Sequence, residues 1–223
     1  FSRYGTVMSS VLKGPLVLAG CGKMGGAMLT GWLAQGLDPK LVVVQDPGPP
    51  PDIAALLARH GLAARPLLQP EGPAAVVLLA VKPQMFREAG PGLKPLVGPS
   101  TLVVSIMAGT TVAALEEVCG GMVVRAMPNT PAAIGRGITV AVAAKNVSAA
   151  QRTTADALLR ATGSVEWVDD EALMDAVTAV SGSGPAYIFL VAEVLAAAGR
   201  AQGLDSAMAE RIVAKLRRKM AKF

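Results

Sequence analysis

The chain is poor in aromatic residues, histidine and cysteine, and each shortage closes off a class of function. Phe, Trp and Tyr make up 4% of 223 residues, so a core must be built from Ala, Val, Leu and Met. Bases also find little to stack on, as a single-stranded nucleic-acid groove requires. The only histidine, His60, stands beside Gly61 at the end of a helix-like stretch and reads as a helix-end cation or surface residue. No Ser-His-Asp arrangement is therefore available, and no His/Cys/Asp/Glu spacing suggests a metal. Two cysteines, Cys21 and Cys119, make neither a disulfide framework nor a thiolate metal site, so a reducing, cytoplasmic setting is expected. The N-terminus lacks the basic–apolar–small order of a secretory signal. The apolar run 74–81 is too short to span a bilayer, and Glu193 interrupts the run after Tyr187, so no membrane span is expected.

What charge there is lies at one end. Arg211, Lys215, Arg217, Arg218, Lys219 and Lys222 give residues 211–223 a charge of +6, and the preceding 210 residues sum to −1. Such a basic helix end is more often a solvated face than a nucleic-acid site, and no nucleic-acid partner is expected.

Short apolar runs alternate with helix-like stretches. Residues 15–19, 41–45, 75–81, 102–105 and 122–125 read as strands, and 24–35, 52–60 and 112–118 as helices. Strand–helix–strand alternation with short connections predicts a doubly wound, parallel α/β sheet. Ser148 is a good N-cap for a helix ending at Gly163, and "SVEWV" reads as one more short strand. Beyond Asp169 the pattern is helical only: 170–180, 185–202 and 206–219. The chain therefore divides into an N-terminal extension (1–13), an α/β domain (14–169) and a small helical domain (170–223).

"LVLAGCGKMGGAM" carries Gly20, Gly22 and Gly25 at the spacing G-x-G-x-x-G. The motif follows a predicted strand and opens a predicted helix, the context a dinucleotide site needs. Gly20 allows the tight turn, Gly22 lets the backbone approach a pyrophosphate, and Gly25 permits close helix–strand packing. The helix N-terminus supplies N–H donors. Cys21 occupies a loop position that needs a small residue and has no redox role. Asp46 ends the second strand, 21 residues past Gly25, where a carboxylate can bind ribose hydroxyls. Three further stretches end strands at the same sheet edge: "LLAVKP" with Lys82 and Pro83, "VSIMAGTT" with Gly109, and "RAMPNTPA" with Asn129 and Thr130. Their convergence predicts an active-site rim. In "DAVTAVSGSGPAYIF", Ser181, Gly182, Ser183 and Gly184 read as a break between two helices that offers hydroxyls and backbone N–H groups to an anion.

"GCGKMGGAM", "LLAVKPQ", "VSIMAGTT", "RAMPNTPA" and "DAVTAVSGSGPAY" together resemble the pyrroline-5-carboxylate reductases, in their order and spacing, over residues 16–213. The resemblance implies a Rossmann-type sheet followed by a helical domain and an oxidoreductase of proline biosynthesis that reduces a cyclic imine with NADPH or NADH. It also implies a homodimer or higher homo-oligomer. It assigns the coenzyme to Ala19, Gly20, Cys21, Gly22, Lys23, Met24 and Gly25, to Asp46, to Ala80, Val81, Lys82 and Pro83, and to Ile106, Met107 and Ala108. Glu171 falls where the family has an acidic residue near the substrate. Lys82, Asn129, Thr130 and Ser181–Gly184 are the further substrate-site candidates. Family members continue into a Ser-Pro-Gly-Gly-Thr-Thr type segment and more helices. The resemblance thus implies a chain incomplete at its C-terminus, with little turnover alone, and residues 1–7 ahead of a natural start at Met8. A hydroxyacid-type dehydrogenase is disfavoured, since no Lys lies between Glu171 and Glu210. A dinucleotide-binding module without turnover stays open.

Overall fold

The computed structural model describes residues 11–68 and 72–220, with residues 217–220 described by backbone alone. The expected N-terminal extension lies outside the described residues as far as residue 10, and the end of the basic tail lies outside them too. The apolar runs pair into one eight-stranded sheet: β1 (Leu16–Ala19), β2 (Val42–Gln45), β3 (Ala64–Arg65), β4 (Val76–Leu79), β5 (Leu102–Ser105), β6 (Met122–Met127), β7 (Gly137–Ala143) and β8 (Gly163–Trp167). Their order is β3-β2-β1-β4-β5-β6-β7-β8. β1, β4 and β5 are buried at every position, as strands covered on both faces must be. Alternate side chains sort the core into two layers. Leu16, Leu18, Val76 and Leu78 face α1 (Lys23–Ala34), α2 (Pro51–Arg59) and α5 (Ala149–Leu159). Val17, Val77, Leu79 and Val103 face α3 (Pro83–Leu93) and α4 (Val112–Cys119).

From β1 the chain moves outward to β2 and β3, then returns to place β4 on the other side of β1. The strand order reverses there, and an open α/β sheet offers its ligand crevice outside the carboxyl ends of the strands at such a point. Trp32 on α1 is fully buried, and its indole N–H donates to the Leu158 carbonyl of α5 at 2.8 Å. One large aromatic thus ties two helices of the same layer.

The expected architecture is corrected in three places. The sheet is not wholly parallel, because β7, which the strand reading omitted, runs antiparallel to β6. Residues 128–136 between them are too few for a parallel crossover, which takes a dozen or more. α3 also forms, which the helix reading omitted, despite Pro91 inside it. Gly90, which has no side chain to strike Val118 of α4, lets the two helices lie close, and Phe86 and Leu93 are buried beneath. Finally, Ser181–Gly184 does not break a helix. A short turn at Glu171–Leu173 leads into α6 (Met174–Val177), a π turn (Thr178–Gly182) and α7 (Gly184–Ala201). Ser183 N–H donates to the Thr178 carbonyl at 2.9 Å, which absorbs the extra residue without interrupting the run. The continuous stretch Glu171–Ala201 is long and apolar enough to cross a membrane by length and composition, against the reading drawn from Glu193. α8 (Ser206–Met220) packs back on α7.

Gly31 sits on the face of α1 that meets the turn after α5, where an added Cβ would come 2.5 Å from the Ala161 carbonyl oxygen. Gly31→Ala is expected to cost about 1–3 kcal/mol by forcing these elements apart, seen as a lower Tm in circular dichroism. An unchanged Tm would show that this contact does not seat the helix.

Candidate active site

β1 ends at Ala19, and Gly20 turns the chain with φ +91°, a conformation that favours glycine. Its backbone lies so close to β4's exit that a Cβ would come 2.7 Å from the Ala80 carbonyl carbon. Gly25 is equally constrained, since a Cβ there would strike the Gly20 carbonyl oxygen. Gly22 differs: nothing lies within 4 Å of a Cβ built on it. Two of the three glycines are therefore required by packing, and the middle one borders open space. Gly22 is also the N-cap of α1 and makes no side-chain cap bond. The first-turn N–H groups of Lys23 and Met24 thus open toward that space without a cap, as an anion site needs.

The open space is a cavity of about 540 Å³ at the reversal point, within the size range of small-molecule sites. Of the residues expected at a coenzyme, Ala19, Gly20, Gly22, Asp46, Ala80, Val81 and Lys82 line it. Gln45, Pro66, Leu67, Met85 and Leu93 line it as well; these were not singled out from sequence, since they belong to β2's end, the β3 exit and the unanticipated α3. The Gln45 side-chain oxygen is buried there without a partner. Cys21, Lys23, Met24 and Gly25 complete the loop behind the wall, and Pro83 opens α3. Ile106 and Met107 are buried, and the Met107 N–H folds back to Ser105 Oγ. Ala108 is exposed, and none of the three residues 106–108 is among those that line this cavity.

Asp46 is more engaged than a bare ribose ligand. One carboxylate oxygen accepts from the Cys21 N–H, and the other accepts from the Gly48 N–H at 2.8 Å. The carboxylate thus clasps the glycine loop to the turn after β2. Desolvation, reinforced by Asp46, pushes the Cys21 thiol up to about 12. Burial pushes Cys119 up to about 11, partly offset by Lys94.

The second group of candidates gathers between the sheet and the helical run. Asn129 follows β6; its Oδ1 accepts from the Ile138 N–H at 3.0 Å, and its Nδ2 reaches Ser181 Oγ at 3.5 Å. Thr130 beside it is exposed. A Cβ on Gly182 would meet Met127 at 2.7 Å, so the π turn lies directly against the end of β6. Glu171 is committed elsewhere. Its Oε1 accepts from Arg125 Nη1 and from the Val112 N–H, both at 2.8 Å, so it holds the buried Arg125 of β6 and the first residue of α4. Arg125 was missed from sequence, where a strand-interior arginine gives no sign of its partner.

Two family models match the chain: coenzyme F420-dependent NADP oxidoreductase over residues 16–109, and pyrroline-5-carboxylate reductase dimerisation over residues 171–223. The chain is 40% identical over 201 residues to the pyrroline-5-carboxylate reductase of Pseudomonas aeruginosa, covering 88% of this chain and 73% of that protein. Among solved structures, the Coxiella burnetii pyrroline-5-carboxylate reductase superposes with a TM-score of 0.82 at 32% identity, covering 94% of this chain and 78% of that one. The Plasmodium falciparum pyrroline carboxylate reductase with NADP bound superposes with a TM-score of 0.79 at 25% identity, with the same coverage.

Gly22→Val is expected to fold with an unchanged Tm and to bind a reduced nicotinamide dinucleotide roughly tenfold or more weakly, because its side chain enters the cavity. Gly25→Ala is expected to lower the Tm instead. Coenzyme fluorescence and thermal melts separate the two, and tight binding by Gly22→Val would make the loop a simple turn. Both thiols should resist alkylation in the folded protein. Their folded pKa values lie above the ordinary 9.0. The stability they contribute is thus complete below about pH 9 and lost as pH rises toward their folded values, which melts across that range would register.

Proposed function

The chain belongs to the pyrroline-5-carboxylate reductase family, and from that membership we infer that it reduces 1-pyrroline-5-carboxylate to L-proline with NADPH or NADH. The observation that carries this reading is the cavity at the β1/β4 reversal, walled by the glycine loop on one side and by the exit of β4 on the other. The residues present fit a dinucleotide. Gly22 leaves space where a side chain would block a pyrophosphate, the start of α1 offers uncapped N–H groups, and Gln45 holds a buried acceptor without a partner. We assign the pyrophosphate to residues 20–24, the adenosine ribose to Asp46, and the nicotinamide end to 80–83 and 106–108. Bound there, the reduced coenzyme supplies a hydride.

The chain's own part is largely placement. A protonated cyclic imine is already electrophilic, so orientation can supply most of the catalysis. Asn129 and the hydroxyls of Thr130, Ser181 and Ser183 are the groups we assign to the substrate carboxylate and ring nitrogen. Asn129 is oriented for this by its bond to β7. Lys82, exposed at the mouth of the cavity, adds a positive charge that favours anionic ligands. Glu171 acts through Arg125 and Val112 as a positioning residue that fixes where the helical run begins.

The helical region serves homo-oligomerisation. Ile188, Val191 and Leu195 of α7 and Ile212 and Leu216 of α8 are 45–57% exposed, a patch of the kind that marks a protein contact. We read the apolar run Glu171–Ala201 as a contact between subunits in a homodimer or larger assembly, not as a membrane span. We place the domain boundary at 169/170. We assign the protein no nucleic-acid partner and a cytoplasmic setting, which two free, buried cysteines support.

Oxidation of the reduced coenzyme, followed by its absorbance, is expected to be faster with pyrroline-5-carboxylate than with 2-oxo acids, even where the turnover of this chain alone is small. The reverse ranking would transfer the chain to another dehydrogenase class. Val191→Glu is expected to lower the assembled mass seen in light scattering, since it places a charge in the exposed apolar face.

A further inference from the structure

We propose that this chain selects NADH over NADPH, and that residues 46–51, at the mouth of the cavity, are the selecting element. The inference rests on the coenzyme site assigned above. NADPH differs from NADH by a phosphate on the 2′-oxygen of the adenosine ribose. A site for that group must offer N–H or O–H donors, or a cation, against about two negative charges. A fold of this type does so with an arginine near the end of its second strand, and binds an unmodified ribose with a carboxylate.

The turn after β2 reads Asp46-Pro47-Gly48-Pro49-Pro50-Pro51. Four prolines remove four N–H groups, because a proline nitrogen carries no hydrogen. The one remaining amide of residues 47–51, Gly48 N–H, already donates to Asp46 Oδ1 at 2.8 Å. The turn then runs straight into α2, whose N-cap is Pro50 and whose first turn carries the acid Asp52. A 2′-phosphate beside residues 46–51 would thus face a carboxylate, carbonyl oxygens and proline rings, and the nearest uncapped N–H groups, those of Asp52 and Ile53 at the start of α2, stand beside a second carboxylate, that of Asp52.

Cations do not make up the difference. None occurs from residue 46 to residue 58. Arg65, on the neighbouring strand β3, lines a separate cavity with Val17, Val43 and Leu68, and does not line this one. Lys82 is the one cation among the cavity's described lining residues. It follows β4, two strands away from β2 across β1, a separation of about 10 Å at the spacing of neighbouring strands. That is the side assigned to the nicotinamide end, not the ribose side.

Asp46, by contrast, suits two hydroxyls. A carboxylate has about four lone-pair sites, and the bonds from Cys21 and Gly48 use one on each oxygen. One site per oxygen is left for the 2′- and 3′-hydroxyls. Because the two backbone bonds hold the carboxylate still, it cannot swing away from a phosphate.

The test is calorimetric titration of the full chain with ADP-ribose and with 2′-phospho-ADP-ribose, which differ only in the group at issue, alongside NADH and NADPH by fluorescence. ADP-ribose and NADH are expected to bind roughly tenfold or more tightly than their 2′-phosphorylated counterparts. Asp46→Asn removes the charge and should narrow that ratio. Pro47→Arg leaves Asp46 in place and adds a cation, so it should tighten the 2′-phosphorylated ligands alone, which keeps the test decisive if Asp46→Asn fails to fold. Equal or tighter binding of the 2′-phosphorylated pair by the parent chain overturns the inference and leaves the coenzyme site standing. So does a ratio unmoved by both variants. Binding of none of the four ligands overturns the coenzyme site itself, and the inference with it.

Discussion

One carboxylate oxygen, Glu171 Oε1, makes two bonds across the junction between the sheet and the helical run, beside the Asn129–Ser181 bond and the Arg125–Asp175 pair. It accepts from the guanidinium of Arg125, deep in β6, and from the first N–H of α4, while heading the helical run that ends at Ala201. Arg125 is almost wholly buried and Glu171 about two-thirds so. A buried guanidinium left without its partner carries a penalty of several kcal/mol, whereas the pair itself adds little beyond an apolar alternative. The interaction is therefore better understood as a specification than as a source of stability. It allows one position for the start of the helical run, and that position brings the π turn against Met127 and Ser181 within reach of Asn129.

The cavity at the β1/β4 reversal depends on a comparable economy. Gly20 and Gly25 are spent on bringing β1, α1 and β4 together, and Gly22 alone is left facing the cavity. Asp46 then fastens the loop so formed to the end of β2. Packing, loop shape and the cavity wall share the same few residues, so a change at any of them disturbs more than one property. The helical side is freer: apolar side chains of α7 and α8 such as Ile188, Val191 and Ile212 are exposed rather than packed on the sheet.

Much of this was legible in the sequence because parallel strands buried on both faces are continuous apolar runs punctuated by Gly and Pro. β1, β2, β4, β5 and β6 were all visible on that ground, and the glycine loop was visible from its place between β1 and α1. What escaped detection was set by partners distant in sequence. The direction of β7 follows from the length of the segment joining it to β6, not from its own alternating Ala and Val. α3 contains Gly90, Pro91 and Gly92, which read as breakers, and it is held by Phe86, Leu93 and the close approach to Val118. Ser181–Gly184 looks like a stop because Ser and Gly favour turns, yet one wide hydrogen bond from Ser183 to Thr178 carries the helix through. Glu171 was noticed for its position near the substrate motif. Its actual bonds could not be read without knowing that Arg125 and Val112 stand beside it.

The placement of the two tryptophans divides the molecule optically. Trp32 is sealed between α1 and α5, and Trp167 lies in β8 beneath the guanidinium of Arg152, 4.4 Å from its ring centre, with its N–H on Asp156. Both belong to the sheet half, and the sequence carries no other tryptophan. Indole emission therefore follows the sheet half, while backbone dichroism, dominated by helices, follows both. A melt recorded by the two signals together would resolve whether the helical run comes away before the sheet opens, with no label introduced anywhere in the chain.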